Sequence, residues 1–277
     1  MLHSIRVTDQ YLVDTHTTYV RVPGRHWPSD ASAIVTLNRD PRVAGECLRK
    51  LWYRYRGVSP TDAPDATALR KQAVGRLIEG QERLWLAQSH QLLDEHVPVE
   101  KPHPMDTSLT VAGELDAVLR GTPPTIVEIK TSHGYSFQRD VLDGDAARPY
   151  PAHLLQGMLY LDLYPSASEV LLLYIDRGTL LRREHRLSLT QTGHAIVNGT
   201  VDATFHLGAI YRRMIELHQA VQSGHLPSRD YAPIYDERTL TRRHAQGQLS
   251  AKQVQSFRAG NRFGDWQCAS CPFRSRC

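Results

Sequence analysis

Lysine is scarce in this chain: of 33 basic side chains only five are lysines, at Lys50, Lys71, Lys101, Lys130 and Lys252. A lysine placed within an apolar stretch therefore points to a task that a guanidinium cannot perform. Long apolar runs are missing too. None approaches the roughly 20 residues that span a bilayer, and Met1-Leu2-His3-Ser4 opens no signal peptide. These absences predict a cytoplasmic protein with no membrane partner. Internal repeats and low-complexity tracts are also lacking, which excludes repeat arrays. Charge of one sign is not in large excess, and a net +4 permits a polyanionic partner without demanding one. Cysteine is limited to four residues, yet Cys268, Cys271 and Cys277 crowd the C-terminus while Cys47 stands alone. An intracellular chain seldom keeps disulfides, so that clustering points first to a metal site. With 277 residues, 41% of them hydrophobic, the chain can bury a large core as one elaborated domain.

The stretch Val111–Ser132, VAGELDAVLRGTPPTIVEIKTS, predicts two strands joined by a turn. Val111–Leu119 and Ile126–Thr131 are rich in β-branched and apolar residues. Gly121-Thr122-Pro123-Pro124 between them can continue neither strand nor helix. Side chains alternate along a strand, so Glu128 and Lys130 share one face while Val127 and Ile129 share the other. Asp116 lies in the first strand. Hard divalent cations such as Mg²⁺ take oxygen ligands and keep waters, which two carboxylates allow. A lysine beside them can orient the attacking water and offset charge at phosphorus. A solvated hairpin with a plain Glu–Lys pair would read the same way in isolation, so the surrounding chain has to decide.

Along the chain, Ile5–Val22 reads as a hairpin and Pro23–Asp30 as a turn-rich link. Residues 44–57 predict a short basic and aromatic helix that buries Leu48, Leu51, Trp52 and Tyr55. Its Arg49, Lys50, Arg54 and Arg56 suit phosphate and base contacts. Thr67–Leu93 predicts one long helix with Val74, Leu77, Ile78, Gln81, Leu84 and Trp85 as the buried stripe. Gly75 and Gly80 inside it mark close packing, and Glu79 and Glu82 border the stripe. His96–Glu100 suggests a strand, 101–106 a loop and 133–151 another. His153–Tyr164 is a helix with Gln156 and Tyr160 on one face. Glu169–Ile175 and Leu180–Leu189 read as antiparallel strands, and Ala203–Ser223 as a helix stopped by Gly224 and Pro227. Residues 228–265 are polar and arginine-rich, and Ser250–Gln253 resembles a capping box.

The order of motifs is Glu79 on a helix, Gly113-Glu-Leu-Asp116 on a strand, Glu128-Ile-Lys130 on the next, and Gln156-Gly-Met-Leu-Tyr160 on a helix. Together they resemble the PD-(D/E)XK nuclease superfamily and, within it, the RecB-like branch. Cys268-x2-Cys271-x5-Cys277 with the distant Cys47 resembles the iron–sulfur members of that branch, among them the CRISPR-associated RecB-like nucleases and AddB-type nuclease domains. The resemblance covers residues 32–277, leaving 1–31 as an N-terminal extension. It implies an α/β fold with a central mixed β-sheet flanked by helices, a core at about 67–190, and a C-terminal helical and cysteine region at 200–277.

The resemblance further implies a Mg²⁺- or Mn²⁺-dependent deoxyribonuclease, more an exonuclease than an endonuclease, acting on single-stranded DNA or DNA ends. Recombination and repair, phage DNA metabolism or CRISPR adaptation are the settings it suggests. Asp116, Glu128 and the carbonyl of Ile129 would ligate the metal, Lys130 would assist the water, and Gln156 and Tyr160 would orient the site or touch the DNA. Cys47, Cys268, Cys271 and Cys277 would hold a 4Fe–4S cluster joining the two ends of the domain, with a four-cysteine zinc site as the alternative. The branch carries histidine in a G-x-x-x-H helix motif. Here Gly75-Arg-Leu-Ile-Glu79 sets a glutamate in that place, so Glu79 is expected among the metal ligands. A protein that keeps the fold and cluster but only binds DNA is the rival function.

Overall fold

The computed structural model describes residues 4–17, 20–37, 40–138 and 149–277. Among them, eight strands build a mixed sheet in the order β1 (Arg25–His26), β5 (Asp106–Leu119), β6 (Thr125–Ser132), β7 (Glu169–Asp176), β8 (Arg182–Leu189), β9 (His194–Val197) and β10 (Thr200–His206), with β4 (Leu92–His103) on the outer edge of β5. β2 (Ser32–Leu37) and β3 (Asp40–Gly45) form a separate ribbon. The predicted hairpin is β5–β6, and β6 runs parallel to β7. The sheet reaches beyond 67–190 on both sides, taking in Arg25–His26 and residues 194–206.

Period-two alternation sorts the sheet's faces. Ile126, Val170, Leu172 and Tyr174 turn to the core shared with helix α5 (Pro151–Leu163). Val127, Ile129, Leu173 and Ile175 turn to the face covered by helix α3 (Ala66–Gln88). Two glycines let these helices settle. A Cβ on Gly75 would stand 2.8 Å from Thr131 Oγ1, and one on Gly157 would stand 2.7 Å from Leu187 Cδ2. Helix α6 (Leu207–Ser223) packs on the β2–β3 ribbon and ends at Gly224 in the left-handed conformation, φ 71°.

Several expectations are corrected. Within the expected hairpin at 5–22, residues 5–14 are helical instead: α1 (Ser4–Asp14) packs along α3, with an Arg70–Asp9 ion pair between them. In α3 most of the expected stripe faces outward, although Ile78 does pack on the sheet. Leu77 is 72% exposed and Val74, Leu84 and Trp85 are exposed with it, whereas Leu69, Gly75 and Glu82 are buried. The helix is turned so that its glycine meets β6, and Glu82 forms an ion pair with Arg182 at 3.0 Å. Residues 203–206 belong to β10, not to α6, and of the loop expected at 101–106 only 104–105 connect strands, with Lys101 to His103 ending β4 and Asp106 opening β5. Tyr53, not Trp52, is fully buried in helix α2 (Leu48–Tyr55). The loop expected at 133–151 contains a single helical turn, α4 (Gly134–Phe137), and residues 139–148 lie outside the described residues.

Candidate functional site

The site begins with a parting of strands. β6 pairs with β5 at Ala117↔Val127, Val118↔Ile126 and Leu119↔Thr125. On the same edge β1 pairs with Thr110 and Val111. Residues 112–116 of β5 lie between these two pairings, where β6 has diverged. Asp116 faces this wedge, and its Oδ2 accepts the Ile129 N–H at 2.8 Å. A side chain thus replaces the ladder bond that the parting strands give up.

Glu128 stands on the opposite wall of the wedge and is 2% exposed. Its Oε1 accepts from Lys130 Nζ at 2.5 Å and from Gln156 Nε2 at 2.7 Å. Gln156 Nε2 also donates to Tyr160 Oη at 3.1 Å, and Tyr160 donates to the carbonyl of Glu114 at 2.9 Å. The chain Glu114–Tyr160–Gln156–Glu128–Lys130 therefore ties α5 to both walls. Tyr160 and Gln156 are buried and hold the carboxylate in place. Glu128 Oε2 is buried and has no hydrogen-bond partner among the described residues. An ionised oxygen left so is costly unless a cation or donor meets it.

Electrostatics join Glu79 to the group. Burial raises its carboxyl, Asp116 adds to the rise, and Lys130, Arg83 and Arg76 oppose it. Glu128 is pushed up to about 7, by burial first; Lys130 opposes that rise, while Asp116 and Glu79 reinforce it. Burial alone would lower Lys130, but Glu128, Asp116 and Glu79 outweigh it and hold the ammonium above its ordinary value. Glu82, the other helix candidate, answers to Arg182 and Glu184 instead. Among the described residues no group of three or more His, Cys, Asp or Glu side chains already stands as a metal cage. Asp116 and Glu79 are coupled electrostatically to Glu128 and Lys130.

The cysteines meet across the molecule. All four are free, partly buried, and line one cavity of about 680 Å³. Burial pushes the Cys268 thiol up to about 12, and Cys47, Asp265, Cys271 and Cys277 reinforce the rise. Cys47 and Cys271 are raised by burial as well. Four thiols lining one cavity suit a group that supplies positive charge to their sulfurs. Arg49 Nη1 reaches Cys277 Sγ at 4.0 Å. The same cavity extends to Thr131, Ser132 and His153, beside Lys130.

Residues 228–265, to which the sequence assigned no role, secure this arrangement. Asp230 accepts the Leu48 N–H at 2.6 Å, just after Cys47, and is held by Arg213 at 2.7 Å with both side chains buried. Tyr231 donates to the Gly45 carbonyl at 2.7 Å, and Arg49 Nε donates to that of Pro227 at 2.8 Å. Asp265 draws Ala232, Tyr235 and Arg243 towards the cysteine-bearing end. Helices α7 (Glu237–Ala245) and α8 (Ala251–Arg258) carry their own small core, and α8 opens with the capping box expected at Ser250 and Gln253. The short helix α9 (Trp266–Ala269) then presents Cys268.

The basic face expected on α2 is largely engaged within the fold. Arg54 reaches Asp30 at 3.5 Å, Lys50 pairs with Glu46 at 2.7 Å, and Arg56 lies over Trp52. Only Arg49 and Lys50 of that set line the cavity.

No family model matches the chain, and no curated protein matches it. Among solved structures, the crystal structure of SSO0001 is similar over 99% of this chain and 96% of its own, at 15% identity and a TM-score of 0.49. A likeness that distant carries nothing about the site.

Proposed function

We propose that the protein is a metal-dependent deoxyribonuclease of the PD-(D/E)XK type that holds an iron–sulfur cluster. The observation that supports it most is the buried Glu128 Oε2, without a partner among the described residues, beside Lys130 and coupled electrostatically to Asp116 and Glu79. An orphaned carboxylate oxygen with two further carboxyls acting on it fits a hard divalent cation such as Mg²⁺ or Mn²⁺. Glu128, Asp116 and Glu79 would hold it, with the Ile129 carbonyl as a further oxygen. Such an ion supplies Lewis acidity at a phosphoryl oxygen and a more acidic water.

The chain's own groups divide the remaining work. Lys130 is held charged, so it donates hydrogen bonds and positive charge to a phosphate and orients the attacking water. Gln156 and Tyr160 are positioning residues that fix the Glu128 carboxylate. Cys47, Cys268, Cys271 and Cys277 would hold a 4Fe–4S cluster, which serves as a cross-link between the start and end of the domain. Single-stranded DNA or DNA ends as substrate, and exonuclease action, come from the family resemblance alone. Recombination and repair, phage DNA metabolism and CRISPR adaptation all present such substrates.

Digestion of end-labelled single- and double-stranded DNA with Mg²⁺, Mn²⁺ or chelator tests the reading. Wild type should cleave only with metal and Lys130→Ala should not cleave, with metal binding retained. Undiminished cleavage by Lys130→Ala sinks the catalytic assignment, and DNA that is bound but never cut favours a silent binding protein. Iron, sulfide and zinc analysis of anaerobically purified protein decides the cluster: zinc in place of iron and sulfide replaces it with a four-cysteine zinc site.

A further inference from the structure

Tyr174 is buried on β7, and its hydroxyl has two neighbours. The backbone N–H of Tyr150 donates to it at 3.0 Å, and His153 Nδ1 lies 2.9 Å away. An amide N–H can only donate, so the phenol oxygen is the acceptor in the first bond. The phenol keeps its own proton, because burial drives it far above its ordinary pKa. A buried hydroxyl proton needs an acceptor, and His153 Nδ1 is placed to take it. His153 is uncharged, with burial and then the Lys130 ammonium pushing it down to about 3. A neutral imidazole that accepts at Nδ1 carries its proton on Nε2. That nitrogen lies on the side of the ring away from Tyr174, and the ring lines the cavity beside Thr131 and Ser132.

We infer that His153, set in its Nε2–H tautomer by Tyr174, is a substrate-binding residue that donates a hydrogen bond to a phosphate oxygen of the strand held at Lys130. The assignment rests on the nuclease reading. A protonated Nε2 cannot also ligate a cation, so His153 is a phosphate contact and no substitute for the histidine missing at position 79. Being neutral, it adds a donor next to Lys130 without adding a second charge that would repel the ammonium.

Two measurements test this. ¹⁵N spectra of histidine-labelled wild type should show His153 neutral and protonated at Nε2, and Tyr174→Phe should disturb that state. Binding of a fluorescein-labelled oligodeoxythymidylate in Ca²⁺ should weaken roughly tenfold or more in His153→Phe, the scale for losing a bond to a charged oxygen. His153→Gln, which keeps a neutral donor, should recover most of it. Mn²⁺ affinity without DNA should stay at the wild-type value in both variants. An Nδ1-protonated or charged His153 overturns the assignment without any variant having to fold. Wild-type DNA affinity in folded His153→Phe overturns it too, as does a loss of Mn²⁺ affinity matching the loss of DNA binding. A wild type that binds no oligonucleotide overturns the nuclease reading, and the assignment with it.

Discussion

Replacing Glu128 by glutamine should stabilise this protein in the absence of metal, and only above a certain pH. The carboxyl titrates at 4.5 in an unfolded chain and is pushed up to about 7 in the fold. Below pH 4.5 it is protonated in both states and contributes nothing to the difference. Between 4.5 and about 7 the folded protein retains a proton that the unfolded chain has released, so stability falls as pH rises through this window. Above it the full cost is present, at most about 3 kcal/mol at 1.36 kcal/mol per unit. Glutamine keeps the shape and the contact with Gln156 but removes the charge. It also takes the opposite charge from Lys130, although Asp116 and Glu79 still face that ammonium. We therefore expect about half the ceiling, 1–2 kcal/mol, or roughly 3–6 °C in Tm for a chain of this size. Thermal melts in chelator from pH 4.5 to 8.5 read it directly: the Glu128→Gln curve should meet wild type at the acid end and lie above it at pH 8. Added Mn²⁺ should raise the wild-type Tm, by about 2.7 kcal/mol of stability at a hundredfold excess over Kd, and leave the variant unmoved. A variant less stable than wild type by the same amount at every pH refutes the reasoning, as does equal Mn²⁺ stabilisation of both proteins.

Glu79→Ala should lose most metal-dependent cleavage while Glu79→His retains some with preference shifted from Mg²⁺ towards Mn²⁺, because imidazole suits later transition metals. Glu82→Ala should titrate with both metals like wild type, since Glu82 is committed to Arg182, and the two metal titrations separate the outcomes. Asp230→Ala should cost about 3–5 kcal/mol by leaving Arg213 buried and unpaired. The double variant with Arg213→Met should recover most of that in denaturant unfolding, and a full loss in the double variant would contradict the pairing. Gly157→Ala should cost about 1–3 kcal/mol by forcing Leu187 from its packing, read as a lower urea midpoint with an unchanged slope. Each single Cys→Ser change at 47, 268, 271 or 277 should remove colour, iron and sulfide together, and full iron in Cys47→Ser would break the four-ligand scheme.

Much of this protein is determined by local pattern. The alternation around Glu128 and Lys130 puts them on one face because a strand repeats every two residues, whatever it packs against. The prolines after Gly121 end a strand, and Ser250 with Gln253 caps a helix, because those effects act within a few residues. Glu128 with Lys130, and Gln156 with Tyr160, were legible as same-face pairs for that reason, while their assignment with Asp116 to one site came from the family resemblance. Tertiary structure decided the rest. A helix with apolar residues on adjoining stripes can bury either, and α3 buries the side where Gly75 allows contact with Thr131, leaving Leu77 outside. The wedge at Asp116 exists because β1 and β6 claim opposite ends of one edge of β5, a competition between segments far apart in sequence. Cys47 lines the same cavity as Cys277 in a fold where Asp230 and Tyr231 clamp residues 45–48. His153 has no distinguishing neighbours in sequence, and the partner of its Nδ1 is Tyr174 on β7, remote in sequence. Spacing is a property of the chain, but proximity, burial and the state of a proton depend on what the fold sets against each side chain.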